Sequence, residues 1–203
     1  MTVDRRVLIA SSLALAAGPA MARAAPLPAA PGDMVMGSPA APAQLVVFAS
    51  PSCSHCAHWW TDDLPAIRRA YIDTGKVRLV FREFLTQPPE FAAAAFLLAR
   101  RIGQARYFEV LDAVFARQGA IFQSGELFEG LQAIGTSFGL TEAQFAAALS
   151  DQKALDAVNA RSEIGGVRDK VQGTPTFILN GRKIPGELTV DSLKAALASP
   201  AKG

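Results

Sequence analysis

Two cysteines, Cys53 and Cys56, stand in this 203-residue chain with Ser54 and His55 between them, and the two histidines of the chain, His55 and His58, lie in the same six residues. Cysteines at this spacing can close a small disulfide ring and reopen it. The reactive species in such an exchange is the thiolate, so the chemistry depends on whatever lowers the pKa of the exposed sulfur. A protonated His55 next to Cys53 would do so. A stabilised thiolate favours the dithiol over the disulfide and makes the disulfide a better oxidant. Other uses of the cysteines fit less well. Covalent haem attachment needs a histidine directly after the second cysteine, and residue 57 is alanine. A zinc site would have to draw Cys53, His55, Cys56 and His58 from one short stretch, with no other cysteine or histidine to help. A purely structural disulfide over four residues closes little chain and stabilises little. His58, beside Trp59 and Trp60, is read as a partly exposed packing residue; the alternative is a second contributor to the thiolate.

The elements around the pair give it a position. Gln44 to Ala49 is a β-branched and aromatic run that reads as a buried strand. Ser54 to Thr74 reads as a helix with an apolar face of Trp59, Trp60, Leu64, Ile67 and Tyr71, kinked at Pro65. Cys53 therefore falls at a helix N-terminus, where unpaired backbone N–H groups and the helix dipole favour a thiolate, while Cys56, one turn along, faces inward. Lys76 to Phe84 is a second strand, and the helical crossover makes the two strands parallel. Residues 88–168 read as helical throughout, with apolar faces such as Phe108, Leu111 and Phe115, and with a capping box at Thr141 and Gln144. Thr174 to Leu179 and Arg182 to Ile184 are strands joined by Asn180-Gly181, a two-residue hairpin signal. Val190 to Ala198 closes the chain as a helix. These apolar faces are core, not ligand sites.

Gly173-Thr174-Pro175-Thr176-Phe177 opens the third strand. A trans proline would block a central strand there, so a cis Thr174-Pro175 bond is expected.

Half of the residues are hydrophobic, enough for a substantial core in one domain or one domain with an insertion. With 19% charged residues and a net charge of +2, the composition gives no reason to invoke nucleic acid. Residues 1–24 read as a cleaved export signal: Arg5 and Arg6, the apolar run Val7 to Ala17, a break at Gly18-Pro19, and Ala22-Arg23-Ala24 as a cleavage site. The Arg5-Arg6 pair also suits twin-arginine export of a folded protein. Residues 25–43 are rich in Ala and Pro and are expected to be a tether or a chain laid on the surface.

Taken together, the segments Gly37-Ser38-Pro39-Ala40-Ala41-Pro42, Cys53-Ser54-His55-Cys56, Gly75-Lys76-Val77-Arg78, Gly173 to Phe177 and Asn180-Gly181 resemble the DsbA-like branch of the thioredoxin superfamily, from about Met36 to Leu197. The resemblance implies an α/β thioredoxin fold interrupted by an all-helical domain. On that layout 44–86 is the first half of the fold, 87–168 the helical insertion and 169–203 the second half. It also implies that Pro175 faces the cysteine pair and that the Thr174 backbone pairs with an extended substrate segment. Ser54 stands where the best-known members have proline, and Val47 stands where a buried acid often helps move the proton of the second cysteine. The function implied is a periplasmic thiol–disulfide oxidoreductase, with Cys53, Cys56 and His55 catalytic, Thr174 and Pro175 binding substrate, and Ser54 in the active-site loop. It needs no cofactor or metal. Its expected partners are reduced or unfolded exported proteins and a membrane redox protein for recycling, and the protein is expected to be a monomer. Introduction of disulfides is favoured over reduction or isomerisation, since the short Pro-rich 25–43 segment leaves no room for an oligomerisation domain. A copper-binding or copper-delivery module is the alternative of another class; beyond the histidines near the cysteines, its candidate ligands in the exported chain are Met34 and Met36.

Overall fold

A computed structural model describes residues 26–199, so the export signal read in residues 1–24 lies outside the described residues. Five strands form one mixed sheet: β1 (Met34–Met36), β2 (Ala43–Ala49), β3 (Val77–Glu83), β4 (Thr176–Leu179) and β5 (Arg182–Ile184), in the order β1-β3-β2-β4-β5. β2 and β3 are parallel, as the intervening helical crossover requires, with Val47 opposite Phe81. β4 runs antiparallel to β2, with Val47 opposite Phe177. The β4–β5 turn holds Asn180 and Gly181 at φ of 49° and 82°, the left-handed pair that a tight hairpin demands.

The central strands are buried on both faces, so alternation with polar residues is lost and they read as continuous apolar runs. Leu45, Val47, Leu79, Phe81 and Phe177 join the main core. Val46, Phe48, Val80 and Ile178 form a smaller cluster on the opposite face with Val171.

The crossover α1 is a continuous helical run over 54–72. It is not the regular helix with a single proline kink that the spacing predicts. Wider π-type turns at Trp59–Asp63 and Arg68–Ile72 flank the α-helical turn Leu64–Ile67, and Pro65, which has no N–H to give, closely follows the first wide turn, where the hydrogen-bond ladder is shifted. Trp59 and Trp60 are both buried. The Trp59 indole N–H donates to the Leu188 carbonyl at 2.8 Å, and that of Trp60 to Asp112 Oδ1 at 2.6 Å.

Five helices stand between β3 and β4: α2 (Pro89–Ile102), α3 (Tyr107–Ser124), α4 (Leu127–Ser137), α5 (Glu142–Leu149) and α6 (Gln152–Val167). The Thr141/Gln144 capping box starts α5, with both reciprocal hydrogen bonds formed. α3 docks on the Trp60 face of α1, where Phe115 stacks on the Trp60 ring at 4.8 Å. α6 returns to the sheet at Gly165, where an added Cβ would stand 3.0–3.1 Å from the Phe84 and Phe48 rings. The closing helix α7 spans Val190–Ala198.

The Ala/Pro-rich segment departs from its reading as tether or surface chain. Met34 and Met36 bury their side chains and pair antiparallel with β3, forming an edge strand. Just before it, Asp33 and the Pro28 carbonyl hold the buried Arg82 guanidinium at 2.5–3.0 Å, with Asp169 at 2.8 Å on its other side. A second buried charge, Glu83 at the end of β3, is held by Arg100 at 2.7 Å, by Arg161, and by the Tyr107 hydroxyl at 2.8 Å. Buried charges persist only when paired in this way.

Candidate active site

β2 ends at Ala49, and a short turn delivers Cys53 to the N-cap of α1. Cys53 is in an extended conformation (φ −90°, ψ 117°), so its side chain points back over the open N–H groups of the first helical turn. Its sulfur accepts from the Cys56 N–H at 3.4 Å. The Cys53 N–H donates to the Ser50 carbonyl at 3.1 Å, and the Cys53 carbonyl accepts from the Ala57 N–H at 3.1 Å. Gln118 of α3 reaches this turn as well. Its side-chain amide donates to the carbonyls of Pro51 at 2.5 Å and Cys53 at 3.0 Å. On the far side, the Ser52 hydroxyl meets the Ser50 hydroxyl at 3.0 Å and the Thr86 hydroxyl at 2.8 Å.

The segment before β4 faces the sulfur. The Thr174-Pro175 peptide is cis, and the Cys53 thiol donates to the Thr174 carbonyl at 3.3 Å. The Thr174 hydroxyl is buried and has no hydrogen-bond partner. Beside it opens a cleft of about 230 Å³, lined by His55, His58, Trp59, Pro175 and Glu187 among others.

Both cysteines are free, and their surroundings differ sharply. The Cys53 thiol is lowered from 9.0 to about 5. The Cys56 thiol donating to its thiolate contributes most. Partial burial opposes this, and Thr174 and then the backbone N–H groups of Cys56 and His55 add to it. Cys56 is fully buried, and its pKa is driven far upward, first by that burial and then by Cys53 beside it. The Ser50 N–H at 3.5 Å is a weak counterweight. The pair therefore consists of an accessible, acidic thiol and a buried one that keeps its proton.

Cys53, Cys56, Thr174 and Pro175 thus converge, and Ser54 stands exposed as the first residue of α1. The His55 imidazole is exposed too. The backbone N–H of His55 contributes to lowering Cys53, and the residue lines the cleft beside the sulfur. His58 is exposed and pairs with Asp62 at 2.8 Å. Val47 is fully buried, so no carboxylate stands at that position. Gln118 escaped the sequence reading. Its signal was an amide one helical step beyond Phe115, on a stripe where an apolar residue belongs.

A mixed five-stranded sheet, a dithiol at the N-terminus of the crossover helix and a proline-preceded strand facing it define a thioredoxin-like redox fold, here with helices inserted between β3 and β4 in the DsbA-like manner. The chain belongs to the thioredoxin family: the family profile described as Thioredoxin matches residues 29–199. A Rickettsia bellii protein, provisionally named a protein-disulfide oxidoreductase, is 31% identical over 166 residues, covering 81% of this chain and 63% of its own length. A similarly named Rickettsia typhi protein is 31% identical over 150 residues, covering 73% and 55%. This chain thus spans 55–63% of the length of these relatives. Among solved structures, Wolbachia pipientis alpha-DsbA1 superposes with a TM-score of 0.75 at 25% identity, over 84% of this chain and 92% of that one. Oxidised BdbD from Bacillus subtilis shares the fold, with a TM-score of 0.70 at 21% identity over 89% and 99%.

Proposed function

We propose that this protein is a thiol–disulfide oxidoreductase that introduces disulfides into reduced, unfolded exported proteins in the periplasm and is reoxidised by a membrane redox partner. The observation that carries the reading is the asymmetry of the pair: an accessible Cys53 with a pKa of about 5 over a buried Cys56 whose thiol resists ionisation. Such a pair stabilises the dithiol form, which makes its disulfide an oxidant. The fold and the named relatives support the same class of chemistry, and the signal-like residues 1–24 support export.

The exchange then runs as follows. A substrate thiolate attacks Cys53 Sγ of the Cys53–Cys56 disulfide. The S–S bond breaks, its electron pair leaves on Cys56, and Cys56 takes a proton. The substrate is now joined to Cys53 in a mixed disulfide. A second substrate thiolate attacks the substrate sulfur of that bond, and Cys53 leaves as a thiolate, a good leaving group because its pKa is low. Two electrons have moved from the substrate's cysteines to the protein. During both steps an extended substrate segment lies along the cleft and adds to the Thr174 main chain as a short strand, a mode that reads backbone more than side chains.

The deciding measurement is the equilibrium of the purified protein with glutathione. The expected potential lies nearer about −120 mV than about −270 mV, the span between strong oxidants and strong reductants of this chemistry. A value below about −230 mV refutes the oxidising role in favour of reduction. Cys53→Ser should abolish oxidation of a reduced, unfolded substrate, and Cys56→Ser, mixed with a substrate that already carries a disulfide for the Cys53 thiolate to open, should accumulate the mixed disulfide.

A further inference from the structure

We infer that Gln118 is a positioning residue for the reactive sulfur and that, through it, the helical region between β3 and β4 is part of the redox site; this rests on the reading of Cys53 given above. α3 buries a stripe at positions 107, 110, 111, 114, 115, 118 and 121. Six of these are hydrophobic; the Tyr107 hydroxyl among them is engaged by Glu83. Gln118 is the exception, and it is only 5% exposed. A buried amide is unfavourable unless it is hydrogen-bonded, so an apolar residue would serve packing at least as well.

What the amide reaches explains its presence. It donates to the Pro51 carbonyl at 2.5 Å and to the Cys53 carbonyl at 3.0 Å. The same turn is already tied by Cys53 N–H to Ser50 and by Ala57 N–H to Cys53. These bonds are local, within or next to the turn. Thr86 reaches Ser52 from the loop after β3, and Thr174 reaches the Cys53 thiol from the start of β4; Gln118 is the contact from the helical layer, 65 residues away in sequence from Cys53. Its removal has two effects of the same sign. The Pro51 carbonyl, two residues before Cys53, loses its Gln118 donor and is left as a buried acceptor of partial negative charge. The turn is also released, and the Cys56 N–H that supports the thiolate, already at 3.4 Å, is free to drift away. Both effects raise the cost of ionising Cys53.

The test is Gln118→Met, which keeps the length of the side chain and suits the apolar stripe while removing the donor. Thiolate absorbance of the reduced protein should titrate roughly one unit higher than in the native protein, and the glutathione equilibrium should move about tenfold toward the disulfide. A merely structural Gln118 would lower the melting temperature and leave both readouts unmoved. A folded variant with unchanged midpoint and equilibrium overturns the proposal. A second measurement needs no variant: in the native protein, the Gln118 side-chain amide resonances should shift along the Cys53 titration curve, and their invariance also overturns it. The native midpoint itself tests the acidity of Cys53, whereas the native-to-variant difference tests Gln118, so either idea can fail alone.

Discussion

Reduction should make the stability of this protein depend on pH in a way the disulfide form does not share. In the folded dithiol Cys53 ionises at about 5, while in the unfolded chain it ionises near the ordinary thiol value of 9.0. Between those values the folded state has released the proton and the unfolded state still holds it, so stability rises with pH at about 1.4 kcal/mol per unit. The gain is complete above the unfolded value and is lost as pH falls through the folded one. At pH 7 it amounts to about 2.7 kcal/mol for an unscreened group; Cys53 is only half-buried, and solvent screening reduces this to roughly 1–2 kcal/mol. Cys56 acts with the opposite sign. Above pH 9 its thiol ionises in the unfolded chain but not in the folded one, so the stability of the dithiol form turns over and declines. The disulfide form has neither thiol. Urea unfolding of both forms from pH 4 to 10 should therefore give a reduced-minus-oxidised difference that climbs from pH 5 to 9 and then falls. The stability of Cys53→Ala, which has no disulfide form, should follow the native disulfide form's pH profile between pH 5 and 9, without the climb. A difference that stays constant between pH 5 and 8 refutes the reasoning. The same 1–2 kcal/mol corresponds to roughly 20–45 mV of oxidising strength, so the two measurements must agree.

Three further outcomes are expected. Thr174→Val removes a buried hydroxyl that has no hydrogen-bond partner and that favours the Cys53 thiolate; the Cys53 midpoint should rise by roughly half a unit to one unit at little cost in stability, and an unmoved midpoint counts against a hydroxyl–thiolate contact. His55→Ala leaves the backbone N–H in place and should move that midpoint by less than about 0.3 units, whereas a rise of a full unit would return the imidazole to the site. Glu83→Gln leaves Arg100 and Arg161 without their buried carboxylate and should cost about 3–5 kcal/mol in urea unfolding, with the Cys53 titration unchanged; a loss below about 1 kcal/mol would show that the cluster is not under the electrostatic tension its burial implies.

What could be read ahead of the structure was local. The strand Arg182–Ile184, the helix Val190–Ala198 and the Thr141 cap are marked by turn chemistry, periodicity and capping residues within a few positions of themselves. The Cys53 environment was legible for the same reason: a cysteine between a strand and a helix must sit at the helix N-terminus. The edge strand Met34–Met36 was not, because three residues between glycine and proline carry no period to detect. The π-type turns of α1 were hidden because they leave the apolar face of Trp59, Trp60, Leu64 and Ile67 intact while shifting the backbone ladder beneath it. His55 stands out in the sequence for its ring; the contribution of its main-chain N–H is visible only in the structure. Contacts between layers lay furthest from view. Thr174 meets Cys53 across 121 residues, and only the family resemblance pointed to that meeting.

That distribution has a chemical consequence. The groups acting on Cys53 come partly from its own helix, at Cys56 and His55, and partly from Thr174 just before β4, while the turn beneath it is gripped by Gln118 from the helical layer. Cys56, in turn, is raised mainly by burial, and burial exists only once α1 has closed on the sheet. In the unfolded chain the two thiols are near neighbours with nothing to distinguish them. The free energy separating an acidic Cys53 from a proton-retaining Cys56 is therefore conformational free energy of the whole domain, held at the pair. Under the oxidising role proposed above, opening the disulfide frees the thiolate-stabilised dithiol form, and that release is what would draw electrons from a substrate.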